Sequence, residues 1–214
     1  MTSTAQGSYY ASLDMPNNPL FKELKTTWQV PVKPTKYDVN NIFIWNGIGP
    51  RSGGHIIQPV LDWNGTKWRT VLVHNVDGNY LYSDYVDVEP GDMLTGFIRL
   101  NSHTANHYEY AAGFEGTAFA ATHRTIVCPV PYNQLVQCLE PYSTDITTYP
   151  HQDFVSMANI NAKFEAADGT EINRGGQWLM DNRASLKRNN VPSLKNGIIV
   201  TDGINGGRID FYFR

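Results

Sequence analysis

Apolar and polar residues alternate in short runs along this chain, and turn-forming dipeptides separate the runs. Segments rich in β-branched and aromatic residues occupy Ile42–Trp45, Trp68–His74, Tyr80–Val88, Met93–Leu100, Thr117–Val127, Ile198–Thr201 and Arg208–Phe213. Asn-Gly or Asp-Gly stands at 46–47, 64–65, 77–78, 168–169, 196–197, 202–203 and 205–206. Such dipeptides tolerate positive φ, so each is expected to form a tight hairpin turn. Many short antiparallel strands at this spacing predict an all-β sandwich or barrel. One stretch is ambiguous: over Gln177–Asn189, Trp178, Asp181, Ala184 and Ser185 recur at helical spacing, but that face is only half apolar, so the pattern does not decide for a helix. Residues 1–20, with Pro16 and Pro19, read as an extended N-terminal arm, and residues 21–214 as a single sandwich domain.

Two runs carry a polar side chain where a buried strand face would be apolar. They are Ile56-Ile57-Gln58-Pro59-Val60-Leu61-Asp62-Trp63 and Leu135-Val136-Gln137-Cys138-Leu139-Glu140-Pro141-Tyr142. Strand alternation puts Ile57, Leu61 and Trp63 on one face of the first and Ile56, Gln58, Val60 and Asp62 on the other. In the second, Leu135 and Leu139 share the apolar face, opposite Val136, Cys138, Glu140 and Tyr142. If the apolar faces make the core, Gln58, Asp62, Glu140 and Tyr142 line an outer, concave surface. Trp45, Trp68, Tyr80 and Tyr82 are the aromatic residues suited to that groove. Pro59 lacks an N–H, which points to an edge strand or a bulge beside Gln58.

The formal net charge of −3 and a pI near 6.0 offer no electrostatic attraction to nucleic acid or to an acidic membrane. Lys187-Arg188 is read as a solvated surface pair. No apolar stretch has the length of a membrane span. The first seven residues carry neither a basic n-region nor an apolar h-region, from which a cytoplasmic location is expected; a secreted one is expected if the chain is a trimmed mature form. Only then does the sequon Asn64-Gly65-Thr66 matter. Cys128 and Cys138 are read as buried thiols rather than as a disulfide framework.

The ordered set of motifs resembles the eqolisins, the glutamic peptidases. The family's early strand ending in Val-Pro matches Thr27-Trp28-Gln29-Val30-Pro31, and its Trp-x-Gly-Ile matches Trp45-Asn46-Gly47-Ile48. The segment with its catalytic glutamine matches Ile56-Ile57-Gln58 with Asp62-Trp63, its later Gly-Asp matches Gly91-Asp92, and its catalytic glutamate is matched with Glu140 between Leu139 and Tyr142. The resemblance covers residues 20 to 160. It implies a curved, concanavalin-like sandwich of two antiparallel sheets and cofactor-independent acid/base chemistry on a peptide substrate. Glu140 would be the general acid/base and Gln58 the electrophilic stabiliser, with Trp45, Asp62, Trp68, Tyr80, Tyr82 and Tyr142 around the substrate. The chain also departs from the family. Where the family places acidic and aromatic cleft residues, Trp68–His74 supplies Arg69, Val71 and Val73; the family's disulfides cannot be built from two cysteines; and the 17 Lys and Arg contrast with its acidic surface.

A carboxylate and a carboxamide that face one another can activate water and stabilise an oxyanion. The same pair can shuttle protons in an isomerisation, dehydration or cyclisation of a small molecule, and a concave aromatic face is also how lectin-like sandwiches hold sugars. Hydrolysis of peptide bonds is the first expectation from sequence, with the small-molecule enzyme and the carbohydrate-binding module as its alternatives. No metal is expected: His103 and His107 have the four-residue spacing of zinc ligands, but their surroundings are loop-like and lack the acidic residue of the helical motif. Gly49–Gly54 precedes a strand, not a helix, and is read as a rim loop rather than a phosphate cradle. No Gly-x-Ser-x-Gly elbow occurs.

Overall fold

A computed structural model describes residues 9–36, 41–142, 145–181 and 197–213. Its strands, in chain order, are β1 (Tyr9–Asp14), β2 (Leu20–Gln29), β3 (Ile42–Gly49), β4 (His55–Trp63), β5 (Trp68–Val76), β6 (Asn79–Tyr82), β7 (Val86–Val88) and β8 (Met93–Thr104). They continue with β9 (His107–Phe114), β10 (Arg124–Cys128), β11 (Gln134–Pro141), β12 (Phe154–Glu165), β13 (Glu171–Ile172), β14 (Leu179–Met180), β15 (Gly197–Thr201) and β16 (Asn205–Tyr212). Two antiparallel sheets result. The first runs β14-β1-β11-β3-β4-β5-β6 with β7 added to β5; the second runs β10-β9-β8-β2-β12-β16-β15 with β13 added to β12. The fold is the two-sheet all-β sandwich.

Period-two alternation sets the layers. On β3, Ile42, Ile44 and Ile48 face the second sheet; on β4, Ile57, Leu61 and Trp63 do; on β11, Leu135 and Leu139 do. They meet Leu24 and Trp28 of β2, Leu94 and Ile98 of β8, Phe114 of β9 and Ile209 and Phe211 of β16 in one continuous core. The opposite face of the first sheet holds a separate small cluster, Trp45, Val60, Val71, Val73 and Cys138.

Two amides tie the layers together behind that face. Asn46 and Gln137 are cross-strand partners on β3 and β11, and both are fully buried on the core side. Asn46 donates to Gly96 O on β8 at 3.2 Å, and Gln137 donates to Thr26 Oγ1 on β2 at 3.0 Å. Asn46-Gly47 is therefore not a turn but lies within β3. Asp77-Gly78 does make the expected hairpin between β5 and β6, with φ of 50° and 86°.

Other elements differ from the sequence reading. Tyr9–Asp14, in the expected arm, is an inner strand paired with β11 and β14. In the ambiguous stretch Gln177–Asn189, Leu179–Met180 is the short strand β14, because its backbone pairs with Ala11 and Ser12; residues 182–189 lie outside the described residues. Thr117–Thr122 is a 3-10 turn and not strand, with β10 starting after it. Pro59 is on an interior strand and causes no bulge: Trp45↔Val60 and Ile48↔Ile57 keep one register, and its missing donor falls in the unpaired stretch between them. Cys128 and Cys138 are buried in different sheets. No helix among the described residues is long and apolar enough to cross a membrane.

Candidate active site

The outer face of the first sheet encloses a cavity of about 540 Å³ whose lining comes from β3, β4, β5, β6 and β11. Four strand steps separate β11 from β6, about 19 Å across a flat sheet. Yet the phenols of Tyr80 and Tyr82 on β6 lie near enough to Tyr142, just past β11, to raise its pKa. The sheet therefore curls, and its β6 edge approaches the end of the interior strand β11 over the cavity.

Seven of the eight site residues expected from sequence line this cavity: Trp45, Gln58, Asp62, Tyr80, Tyr82, Glu140 and Tyr142. Trp68 does not. It begins β5 on the core side with Thr70 and Leu72, is fully buried, and packs on Trp63 at 5.3 Å between ring centroids. The alternation that buries Trp68 turns Arg69, Val71, Val73 and Asn75 outward, and all four line the cavity, as do Phe43 and Tyr85. Period two along β3 and β5 carries that signal for Phe43, Arg69 and Asn75; Tyr85 stands between strands and has none.

Glu140 is partly buried, and burial pushes its carboxyl above the usual carboxylate range. Two donors moderate that rise: Trp45 Nε1 donates to Glu140 Oε2 at 3.1 Å, and the Tyr142 hydroxyl donates to the carboxylate. Tyr142 is itself pushed up to about 12, by burial first and then by the Glu140 charge, so it stays a phenol. Its ring meets Phe43 edge-on at 5.3 Å. No cation pairs with Glu140 among the described residues.

Asp62 is balanced differently. Its side chain is 2% exposed, and burial raises its pKa above 3.8 while Arg69 pulls it down. Arg69 Nη2 and Nε reach Asp62 Oδ2 at 2.6 and 2.7 Å, and the guanidinium lies 3.8 Å over the Tyr85 ring. Asp62 is thus held by a cation, whereas Glu140 is held by neutral donors.

Cross-strand rows decide what meets what. One row reads Glu140, Phe43, Asp62, Arg69 across β11, β3, β4 and β5. Gln58 belongs to another: beside it lies Gly47, a Cβ on which would sit 3.4 Å from Gln58 Cβ, and Gly47 pairs in turn with Val136. Gln58 and Glu140 share the cavity, but β3 separates their strands and their rows are four residues out of step. That offset is about 13 Å along the strand in addition to roughly 10 Å across it, before curvature brings them closer. His103 and His107 lie on the β8–β9 hairpin, where the His103 ring stacks on Tyr108.

The comparisons agree with this architecture. Scytalido-glutamic peptidase, solved with a peptide-based transition-state analogue, superposes with a TM-score of 0.55 at 12% identity, covering 95% of this chain and 96% of that one. SCP-B, a member of the eqolisin family of peptidases in complex with the tripeptide Ala-Ile-His, gives 0.53 at 12% identity over 96% and 97%. At this identity the likeness is one of fold. No protein-family model and no curated protein matches the sequence.

Proposed function

We propose that this chain is an acid–base enzyme in which Glu140 carries the proton, acting on a compact organic substrate on the concave face. One observation supports this above the others: Glu140 is a carboxyl in an aromatic-walled cavity, raised by burial and hydrogen-bonded by Trp45 and Tyr142 rather than neutralised by a cation. A raised carboxyl holds its proton closer to neutral pH and donates it when a substrate oxygen arrives. The carboxylate left behind keeps the Trp45 N–H and the Tyr142 hydroxyl, and can take a proton from a neighbouring carbon. The net change is an isomerisation or a loss of water, with no electron transferred. Trp45, Phe43, Tyr80 and Tyr82 supply faces for an apolar skeleton, and Gln58 and Asn75 offer amides that orient polar substituents.

Hydrolysis of a peptide bond is the second reading, favoured by the peptide-bound peptidases that share the fold. It asks Gln58 to hold the oxyanion while Glu140 activates water on the same carbonyl, and both side chains line the one cavity. Mass spectrometry on two mixtures separates the readings. Wild type, Glu140→Gln and Gln58→Ala are each incubated with a peptide library, from acidic to neutral pH, and with a small-molecule extract of the producing cells. The expected result is conversion in the extract, to products of unchanged mass or one water lighter, by wild type but not by Glu140→Gln, with the peptides uncut. Peptide cleavage lost in both variants would put the hydrolase in its place. No conversion in either mixture, with retention on a glycan array, would leave a carbohydrate-binding module and end the enzyme proposal.

A further inference from the structure

Arg69 lines the cavity but has no part in the chemistry assigned to Glu140. It closes the cross-strand row that starts at Glu140, with Phe43 and Asp62 between them. The three strand steps from β11 to β5 would hold the two ends about 14 Å apart on a flat sheet. The curl shortens that reach. The Tyr82 phenol is close enough to feel the Asp62 charge at one end and to act on Tyr142 at the other. A compact molecule lying over Phe43 can touch both ends of the row.

A guanidinium is a planar fork of N–H donors with no acceptor. Nε and Nη2 of Arg69 are committed to Asp62 Oδ2, at 2.7 and 2.6 Å. Nη1 has no partner among the described residues, and it is not one of the buried polar atoms left unpaired, so it is open at the cavity wall. The plane of the fork is fixed as well, since Cζ lies 3.8 Å over the Tyr85 ring. Arg69 thus holds out preorganised donors that nothing in the protein uses.

The charges around them define the guest. A donor-only group calls for an acceptor oxygen. Asp62 already balances the Arg69 charge, and its side chain is 2% exposed against 25% for Arg69, so the pair shows the cavity its donor side. A carboxylate guest would leave net negative charge in a cavity that already holds the carboxyls of Asp62 and Glu140. A neutral carbonyl accepts the same hydrogen bonds and leaves the balance undisturbed. We propose that Arg69 is a specificity-determining residue that donates through Nη1 to the carbonyl oxygen of a neutral carbonyl compound, whose reacting end lies at Glu140. This rests on the reading of the cavity as the substrate site, and adds the functional group that its far end selects.

Fluorine NMR of para-fluoroacetophenone titrated with the full chain tests the inference. Saturable binding at millimolar ligand is expected, with 1-ethyl-4-fluorobenzene, of similar shape but without the oxygen, about tenfold weaker. The ionised para-fluorobenzoate should also bind more weakly than the ketone at about pH 7. Arg69→Met/Asp62→Asn removes the donors without stranding a charge; there the ketone should fall to the affinity of the ethyl compound, whose own binding is unchanged. Arg69→Lys, which keeps a cation on Asp62 without the planar fork, should lower the preference as well. No saturable binding of the ketone, equal binding of ketone and ethyl compound by wild type, or tighter binding of the benzoate would each overturn the assignment. So would a ketone preference that survives both variants, or loss of both probes together in the double variant, which marks a structural role. These titrations do not read turnover. Conversion through Glu140 without a ketone preference would remove Arg69 alone, whereas a ketone preference beside conversion that survives Glu140→Gln would remove the role of Glu140 alone.

Discussion

Replacing Arg69 by methionine should cost stability in a strongly pH-dependent way. The guanidinium makes two contacts to Asp62 Oδ2, at 2.6 and 2.7 Å, while Oδ1 has no partner and the side chain is 2% exposed. Removing one member of a buried pair leaves an uncompensated charge, at a cost of about 3–5 kcal/mol. Arg69 itself keeps a quarter of its side-chain surface in solvent, so the lower end, about 3 kcal/mol, applies here. For a domain of this size that corresponds to a fall in Tm of roughly 6–12 °C. The pH dependence follows from the signs. Burial raises the Asp62 pKa and Arg69 lowers it, so deleting Arg69 lets it climb further. A carboxyl raised on folding favours the fold while protonated and opposes it once ionised. The deficit is therefore complete at neutral pH and shrinks as acid takes the pH down through the Asp62 pKa. Urea unfolding of wild type, Arg69→Met and Arg69→Met/Asp62→Asn, at about pH 7 and about pH 4, measures this. The double variant should recover most of the loss at the higher pH. A deficit of equal size at both pH values, or no recovery with asparagine, would refute the reasoning.

Glu140→Gln should be more stable than wild type near neutral pH and lose that advantage in acid, because burial raises Glu140 and wild type alone sheds stability as pH rises through its pKa; thermal melts across that range check it. Trp45→Phe removes the Nε1 donor that lowers Glu140, so the carboxyl should titrate at higher pH, read by carboxyl-carbon NMR. Gly96→Ala would place a Cβ 2.3 Å from Asn46 Oδ1 and 2.9 Å from Trp28 Cη2, and should cost about 1–3 kcal/mol in urea unfolding.

Which side chains share a face was legible in the sequence, because alternation is local. Ile57, Leu61 and Trp63 are in the core while Gln58 and Asp62 line the cavity, as the period-two reading of that run required. Trp68 was misplaced by residue type: a tryptophan near a groove suggests stacking, yet its own strand alternates it with Arg69 and sends it inward. Strand order was not legible at all. Neighbours such as β1 and β11 are joined by contacts more than a hundred residues apart, and no local pattern announced that β3 would lie between β4 and β11. The same blindness hid the row that sets Glu140 opposite Phe43 and Asp62 rather than Gln58. Asn46-Gly47 misled for a related reason. Its turn chemistry is real, but a buried hydrogen bond from the Asn46 amide to the other sheet overrides it.

The paired carboxamides of Asn46 and Gln137 have a mechanical consequence. They rivet the middle of the curved wall to the layer behind it, so β3 and β11 cannot slide without leaving buried amides stranded. Whatever give the hollow has must come from its free margin, where the hairpin closed by Asp77-Gly78 carries Tyr80 and Tyr82. The bulk of the guest admitted would then be governed by that outer flap, and stiffening its turn would narrow the range of guests without touching the groups at the bottom.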